Sequence, residues 1–278
     1  MSLINWEPYV TIFNQNDEEI IQQKFPNKDA LEWMRQEVPL FECPDKAIEE
    51  TYYFRWWVFR KHIEETPEGR IITEFLPKVE WAGPYNSINC AAGHHLAEAR
   101  WLRHDKSLAE EYIRFWFKGS GDVTSYSSWI VDAVYRLVLT TGNKAFAVAL
   151  LDNFIQYYES YEKSNFTPYG LFWSSDDRDA MEMSISGSGL RPTLNSYMAA
   201  NANAIAQIAQ WAGRSREAEL YQNKAKLLRE NIRRLLWDAD GQFFKVIPMK
   251  SRDTALGSLS FKDVETKRNV RESIGYIP

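Results

Sequence analysis

Between Trp173 and Glu182 the chain reads Trp173-Ser-Ser-Asp-Asp-Arg-Asp-Ala-Met-Glu182, which places four carboxylates (Asp176, Asp177, Asp179, Glu182) close together with one arginine. Such a cluster can do acid–base chemistry. Cleaving a glycosidic bond, for example, needs one carboxylic acid to protonate the leaving oxygen and a second carboxylate across the sugar. The acid must stay protonated near neutral pH, and desolvation by apolar neighbours achieves this. Glu182, between Met181 and Met183, fits that description better than Asp176 or Asp177. The competing reading is a solvated acidic loop or a cation site built from oxygen ligands. A helix–loop–helix calcium loop is excluded, because its glycine and terminal glutamate spacing is absent.

A second cluster runs from Glu74 to Asn86. Trp81, Tyr85 and Asn86 stand where a loop enters a helix, a usual place for ligand contacts, although a hydrophobic staple at the helix start would look the same. His94 and His95 are adjacent. Neighbours on a helix point about 100° apart, so the two cannot grip one metal as an i, i+4 pair would. His95 falls on an apolar stripe and reads as a hydrogen-bonded core histidine. No Ser-His-Asp order, phosphate-cradling glycine loop or zinc spacing is present, so no metal and no cofactor are expected. Two cysteines, Cys43 and Cys90, make no disulfide framework.

The elements that must position these residues are mostly helical. Ile48, Tyr52, Trp56, Phe59 and Ile63 recur at helical spacing and predict one face of a helix. Pro84 is expected to open the next helix at its first turn, with Ile88, Ala91, Ala92, His95, Ala99 and Leu102 as its stripe. Two helical hairpins follow. The first helix of one carries Ile130, Val134 and Val138 and ends at Gly142, and Asn143 caps its partner. The other turns at Gly213, with Ser215 as the expected cap. Their recurrence suggests helix pairs packed side by side. The stretch 162–192 between them is long, polar and aromatic, and so reads as functional rather than disordered. Asp240-Gly241 predicts a tight β-hairpin within 236–248. Residues 1–40 carry little pattern beyond a helix over 29–37. No Pro/Gly/Ser-rich linker divides the chain, which predicts one domain over 1–278.

Aromatic residues make up 14% of the 278, including 11 Trp; most of them read as core packing, and a surplus of Trp also suits stacking on the flat C–H faces of sugars. The net charge of −5 argues against a nucleic-acid partner. No apolar run is long enough to span a membrane. The start, MSLINWEPYV, shows no signal-peptide pattern, which leaves the compartment open.

At these clusters the chain resembles the six-hairpin glycosidases, the clan of trehalases, processing α-glucosidases and mannosylglycerate hydrolases. Ala180-Met181-Glu182-Met183-Ser184 is similar to the stretch that carries the general acid in that clan, and Arg191-Pro-Thr-Leu194-Asn195-Ser196-Tyr197-Met198 to the helix start that follows it. Trp81-Ala-Gly-Pro-Tyr85-Asn86 stands where those enzymes carry a Trp-Asp-x-Tyr sugar-binding segment, and it lacks the Asp. Tyr126 to Trp129 resembles another rim segment of the cleft. The resemblance covers about residues 50–278. It implies an all-α fold, an (α/α)6 toroid of helical hairpins, acting on an oligosaccharide or glycoside with inversion. Glu182 would be the acid and Asp179 its fallback. Trp81, Tyr85, Asn86, Tyr126, Trp129, Trp173, Arg191, Asn195 and Tyr197 would hold the sugar. The clan's general base comes from a glutamate near the end of the barrel, which is expected beyond residue 278. The chain would then be the first two-thirds of a toroid, with an exposed apolar edge that favours homo-oligomers. Two other readings stand beside the hydrolase: a non-catalytic helical-repeat scaffold binding carbohydrate or protein, and a polysaccharide lyase or epimerase using His94 or His95 with Tyr85.

Overall fold

The computed structural model describes residues 6–179, 181, 183–256 and 260–278. The chain forms two compact units, Met1–Ile88 with His94–Gly121 and Asn89–Gly93 with Asp122–Pro278.

The first unit holds α1 (Glu7–Gln15), α2 (Ala30–Glu37), α3 (Lys46–Lys61), the antiparallel hairpin β1 (Ile63–Thr66) and β2 (Gly69–Ile72), most of α4 (Ala92–Ala99), and α5 (Ser107–Lys118). The lead-in is thus structured: α1 packs on α3, although its sequence showed little pattern. Asp45 caps α3 by accepting the Ala47 N–H. The buried face of α3 includes Tyr53, Trp56, Trp57, Phe59 and Arg60, while Ile48 is exposed and Ile63, also buried, begins β1. The expected stripe thus holds at Trp56, Phe59 and Ile63 and fails at Ile48. The inward face includes polar residues that an apolar count skips: Arg60 is fully buried, bonding the Phe25 carbonyl and Asn27. Pro84 opens only a 3₁₀ turn, Pro84–Asn86. Tyr85 and Asn86 adopt left-handed φ of 54° and 61°, which stops propagation, and a second 3₁₀ turn (Asn89–Ala91) precedes α4.

The second unit is built from α6 (Ile130–Thr141), α7 (Lys144–Val148), α8 (Leu151–Asn165), α9 (Pro192–Trp211) and α10 (Ser215–Leu236). Its first turn follows the sequence signal: Gly142 is left-handed and returns its N–H to the Val138 carbonyl, and the Asn143 side chain accepts the Phe146 N–H. Gly213 is left-handed as well. Ser215 is not the cap of α10. Arg214 takes that position and bridges Asp152 and Glu217 with its guanidinium. α9 packs against α6, α8 and α10. The long connection between α8 and α9 is ordered by three short antiparallel strands, β3 (Trp173–Ser174), β4 (Gly189–Leu190) and β7 (Ile247–Pro248), with β4 in the middle. A Cβ at Gly189 would lie 2.2 Å from the Ile247 carbonyl, so the strands meet only with glycine there. The predicted hairpin is β5 (Trp237–Asp238) paired with β6 (Phe243–Phe244). The fold class is all-α, with ten α-helices and only short strands among the described residues.

Candidate active site

In the second unit, β3 and the short helical turn Asp176–Arg178 border a recess of about 350 Å³, lined among others by Tyr126, Tyr161, Trp173 and Arg178. Trp173 is half-buried and its indole N–H donates to the Met249 carbonyl at 2.9 Å, which fixes the plane of the ring. The Arg178 guanidinium sits over the Tyr126 ring at 5.2 Å and donates to the Ser125 carbonyl. The Arg178 carbonyl in turn accepts the Ser127 N–H at 2.7 Å, tying the acidic segment to the rim. The lining combines aromatic rings with the hydroxyls of Thr124, Ser125, Ser127, Ser174 and Ser175, a mixture suited to a sugar's C–H face and hydroxyls.

Behind the recess lies an ion pair with no solvent access. Arg191 Nε and Nη2 donate to the two oxygens of Asp179 at 2.6 and 3.0 Å, and both side chains are 0% exposed. Burial pushes the Asp179 carboxyl above its ordinary range, and the Arg191 fork pulls it back only in part. Asp179 therefore cannot reach a ligand oxygen in this conformation, which counts against its fallback role. Arg191 is equally enclosed. Its third nitrogen, Nη1, donates to Ser184 Oγ and the Gly187 carbonyl, so it braces a loop instead of facing a sugar. Tyr197 is half-buried beside them. Burial first, and then the Asp179 charge, push its hydroxyl up to about 12, so it stays a neutral donor. Glu182 lies outside the described residues. Met183 is 93% exposed.

Three buried asparagines, none of them read from the sequence as scaffold, order the loops. Asn195 accepts the Phe172 N–H at 2.7 Å and donates to the Phe172 and Arg191 carbonyls, which fully occupies its amide and removes it from the sugar ligands. Asn89 does the same for the rim, donating to the Val123 and Tyr126 carbonyls and accepting the Tyr126 N–H. Asn201 accepts the Val131 and Asp132 N–H groups, completing the start of α6. The available signal was an asparagine amid the apolar face of α9. Trp129 packs its indole on Gly93, where a Cβ would stand 2.6 Å from the ring. Trp129 is not among the residues lining the recess.

Trp81, Tyr85 and Asn86 belong to the first unit. Trp81 is 65% exposed and meets Phe75 edge-on at 6.0 Å. Tyr85 is also exposed. Asn86 donates to the Phe75 and Pro77 carbonyls and accepts the Val79 N–H, so it too holds a loop. Tyr85 and Asn86 line a groove of about 710 Å³ with Glu64, Phe75 and Leu76. His95 meets the Tyr112 hydroxyl at 3.0 Å and burial drops its pKa to about 3, as a core histidine should behave. Among the described residues no cluster of His, Cys, Asp or Glu could hold a metal ion, and no helix is long and apolar enough to cross a membrane.

The helical hairpins thus carry a recess lined by aromatic rings, hydroxyls and the Asp122 carboxylate, a composition suited to carbohydrate. Residues 84–278 match the family described as Mannosylglycerate hydrolase MGH1-like glycoside hydrolase domain, and the chain belongs to that family. This agrees with the six-hairpin resemblance and makes the chain a glycosidase-family domain of carbohydrate metabolism. Among solved structures it is similar to one named Sialidase, with a TM-score of 0.88 and 38% sequence identity over 98% of this chain and 24% of that one. The chain thus spans about a quarter of that structure's length. A search of curated proteins finds no match.

Proposed function

We propose that the chain carries the acid half of an inverting O-glycosidase site, with Glu182 protonating the leaving oxygen of a glycoside seated in the recess at Trp173 and Tyr126. The observation behind this reading is the enclosure of Asp179 in the Arg191 fork. It takes one of the cluster's carboxylates out of contact with ligand, and makes the pair a brace beneath the segment that continues into Glu182. Trp173 and Tyr126 offer ring faces, Arg178 and Tyr197 offer donors, and Asn195 and Asn89 hold these groups in place. Trp81 and Tyr85 offer further ring faces in the first unit. The test is hydrolysis, by a full-length version of the protein that supplies the second carboxylate, of a panel that includes mannosylglycerate, α- and β-aryl glycosides and sialosides. One of these should be cleaved with inversion, and Glu182→Gln should lower kcat by about 100-fold or more, the scale of a lost general acid. Hydrolysis by the variant at the parent rate would remove Glu182 from the mechanism.

A further inference from the structure

The loop 181–188 has an unusual means of support. It is two consecutive turns, closed by Ser184 N–H to the Met181 carbonyl and Gly187 N–H to the Ser184 carbonyl. Met183 and Gly187 are left-handed, at φ of 59° and 71°. Met183 and Ile185 point into solvent, so apolar burial of these side chains does not hold the loop down. Left-handed backbone at a non-glycine residue persists only where the surroundings impose it. Here those surroundings are polar and come from two directions. From beneath, Arg191 reaches Ser184 Oγ and the Gly187 carbonyl. From the other side comes the segment around the 3₁₀ turn Ser273–Tyr276. Glu272 accepts the Ser184 hydroxyl at 2.8 Å and the Ile185 N–H at 2.9 Å, and Arg268 donates to the Ser186 carbonyl at 2.8 Å. The Arg268 guanidinium lies where a Cβ at Gly187 would stand, 2.6 Å from Nη2. Ser184 is the joint: its oxygen accepts from Arg191 while its proton goes to Glu272.

We propose that Glu272, with Arg268, is a positioning clasp for the acid-bearing loop: it fixes the backbone from Ser184 to Ser186, just after Glu182, without itself touching substrate. This rests on the reading of Glu182 as the acid. A clasp of this kind acts on rate, since a misplacement of about 1 Å from a remote change can cost 100-fold. The experiment measures kcat, KM, the pH–rate profile and amide exchange at Ile185 in the full-length protein and in its Glu272→Ala, Glu272→Gln and Arg268→Ala variants. Glu272→Ala should lose about 10- to 100-fold in kcat with KM within about 3-fold, keep both limbs of the pH profile, and exchange the Ile185 amide faster. Glu272→Gln, which retains an acceptor, should recover part of the rate. Arg268→Ala loosens the same loop from the other arm and reads the clasp even if Glu272→Ala does not fold. Unchanged kcat in both arms overturns the proposal, as does loss of one pH limb, which would make Glu272 a reacting group. A full-length parent that hydrolyses nothing on the panel removes the glycosidase reading, and the clasp falls with it.

Discussion

Each unit buries a carboxylate, and the two are treated in opposite ways. Glu49 of the first unit accepts from the Cys43 N–H, the Tyr9 hydroxyl and Lys46 Nζ at 2.8–3.0 Å. These donors, the Cys43 N–H first, hold it down at about 2. Its work is architectural, joining α1, the segment before Asp45 and α3. Asp179 of the second unit has the Arg191 fork as its main partner and no solvent, and burial carries its carboxyl upward. Donor supply decides the first case and desolvation the second. A carboxylate met by several donors is a fastener. One whose charge is only partly compensated is a sensitive point, and it sits next to the segment read as catalytic.

The largest expected effect breaks the second arrangement. Arg191→Met removes the fork and strands a buried charge, which should cost about 3–5 kcal/mol in urea denaturation. Adding Asp179→Leu should restore most of that loss, since replacing both charges leaves nothing unpaired. If the double variant is no more stable than the single one, the pair is not the isolated unit described. The asparagines give a smaller contrast. Asn195→Ala leaves the Phe172 N–H and C=O unpaired in a dry interior, at about 1–3 kcal/mol per group. Asn86→Ala acts where water can replace the amide, and about 0.5–1.5 kcal/mol is expected. Equal losses at the two sites, measured by the same denaturation, would show that burial does not separate them.

The helical hairpins were legible because their signals are local: Gly142, Asn143 and Gly213 each act within a turn of themselves. The acidic cluster was legible as chemistry for the same reason. What sequence could not supply was partnership at a distance. Nothing near Asp179 announces that Arg191 encloses it, and nothing near Glu272 announces Ser184. Asn86 and Asn195 looked like sugar ligands because an exposed amide and one consumed by backbone have the same letter. The stripe on α3 was legible at Trp56 and Phe59, but the inward Arg60 was not, because an apolar count passes over a buried charge. Strained backbone at Tyr85 and Asn86 likewise overrode the helix that Pro84 invited.

The smallest effect tests the opening contrast by sign. The Glu49 pKa is lowered from 4.5 to about 2, so the unfolded chain takes up that proton first. Its stabilisation is complete above 4.5 and is lost as pH falls toward 2. The Asp179 pKa is raised from 3.8, so the folded chain takes up that proton first. Its contribution is complete below 3.8 and declines as pH rises through the folded value. Urea midpoints of the parent chain, Glu49→Gln and Asp179→Asn, followed from acid to neutral pH, should therefore diverge in opposite directions. The gap between parent and Glu49→Gln should widen with rising pH, while that between parent and Asp179→Asn should narrow. Two gaps that move together would mean that the Arg191 fork, not desolvation, governs Asp179, and the two carboxylates would then be fasteners of one kind.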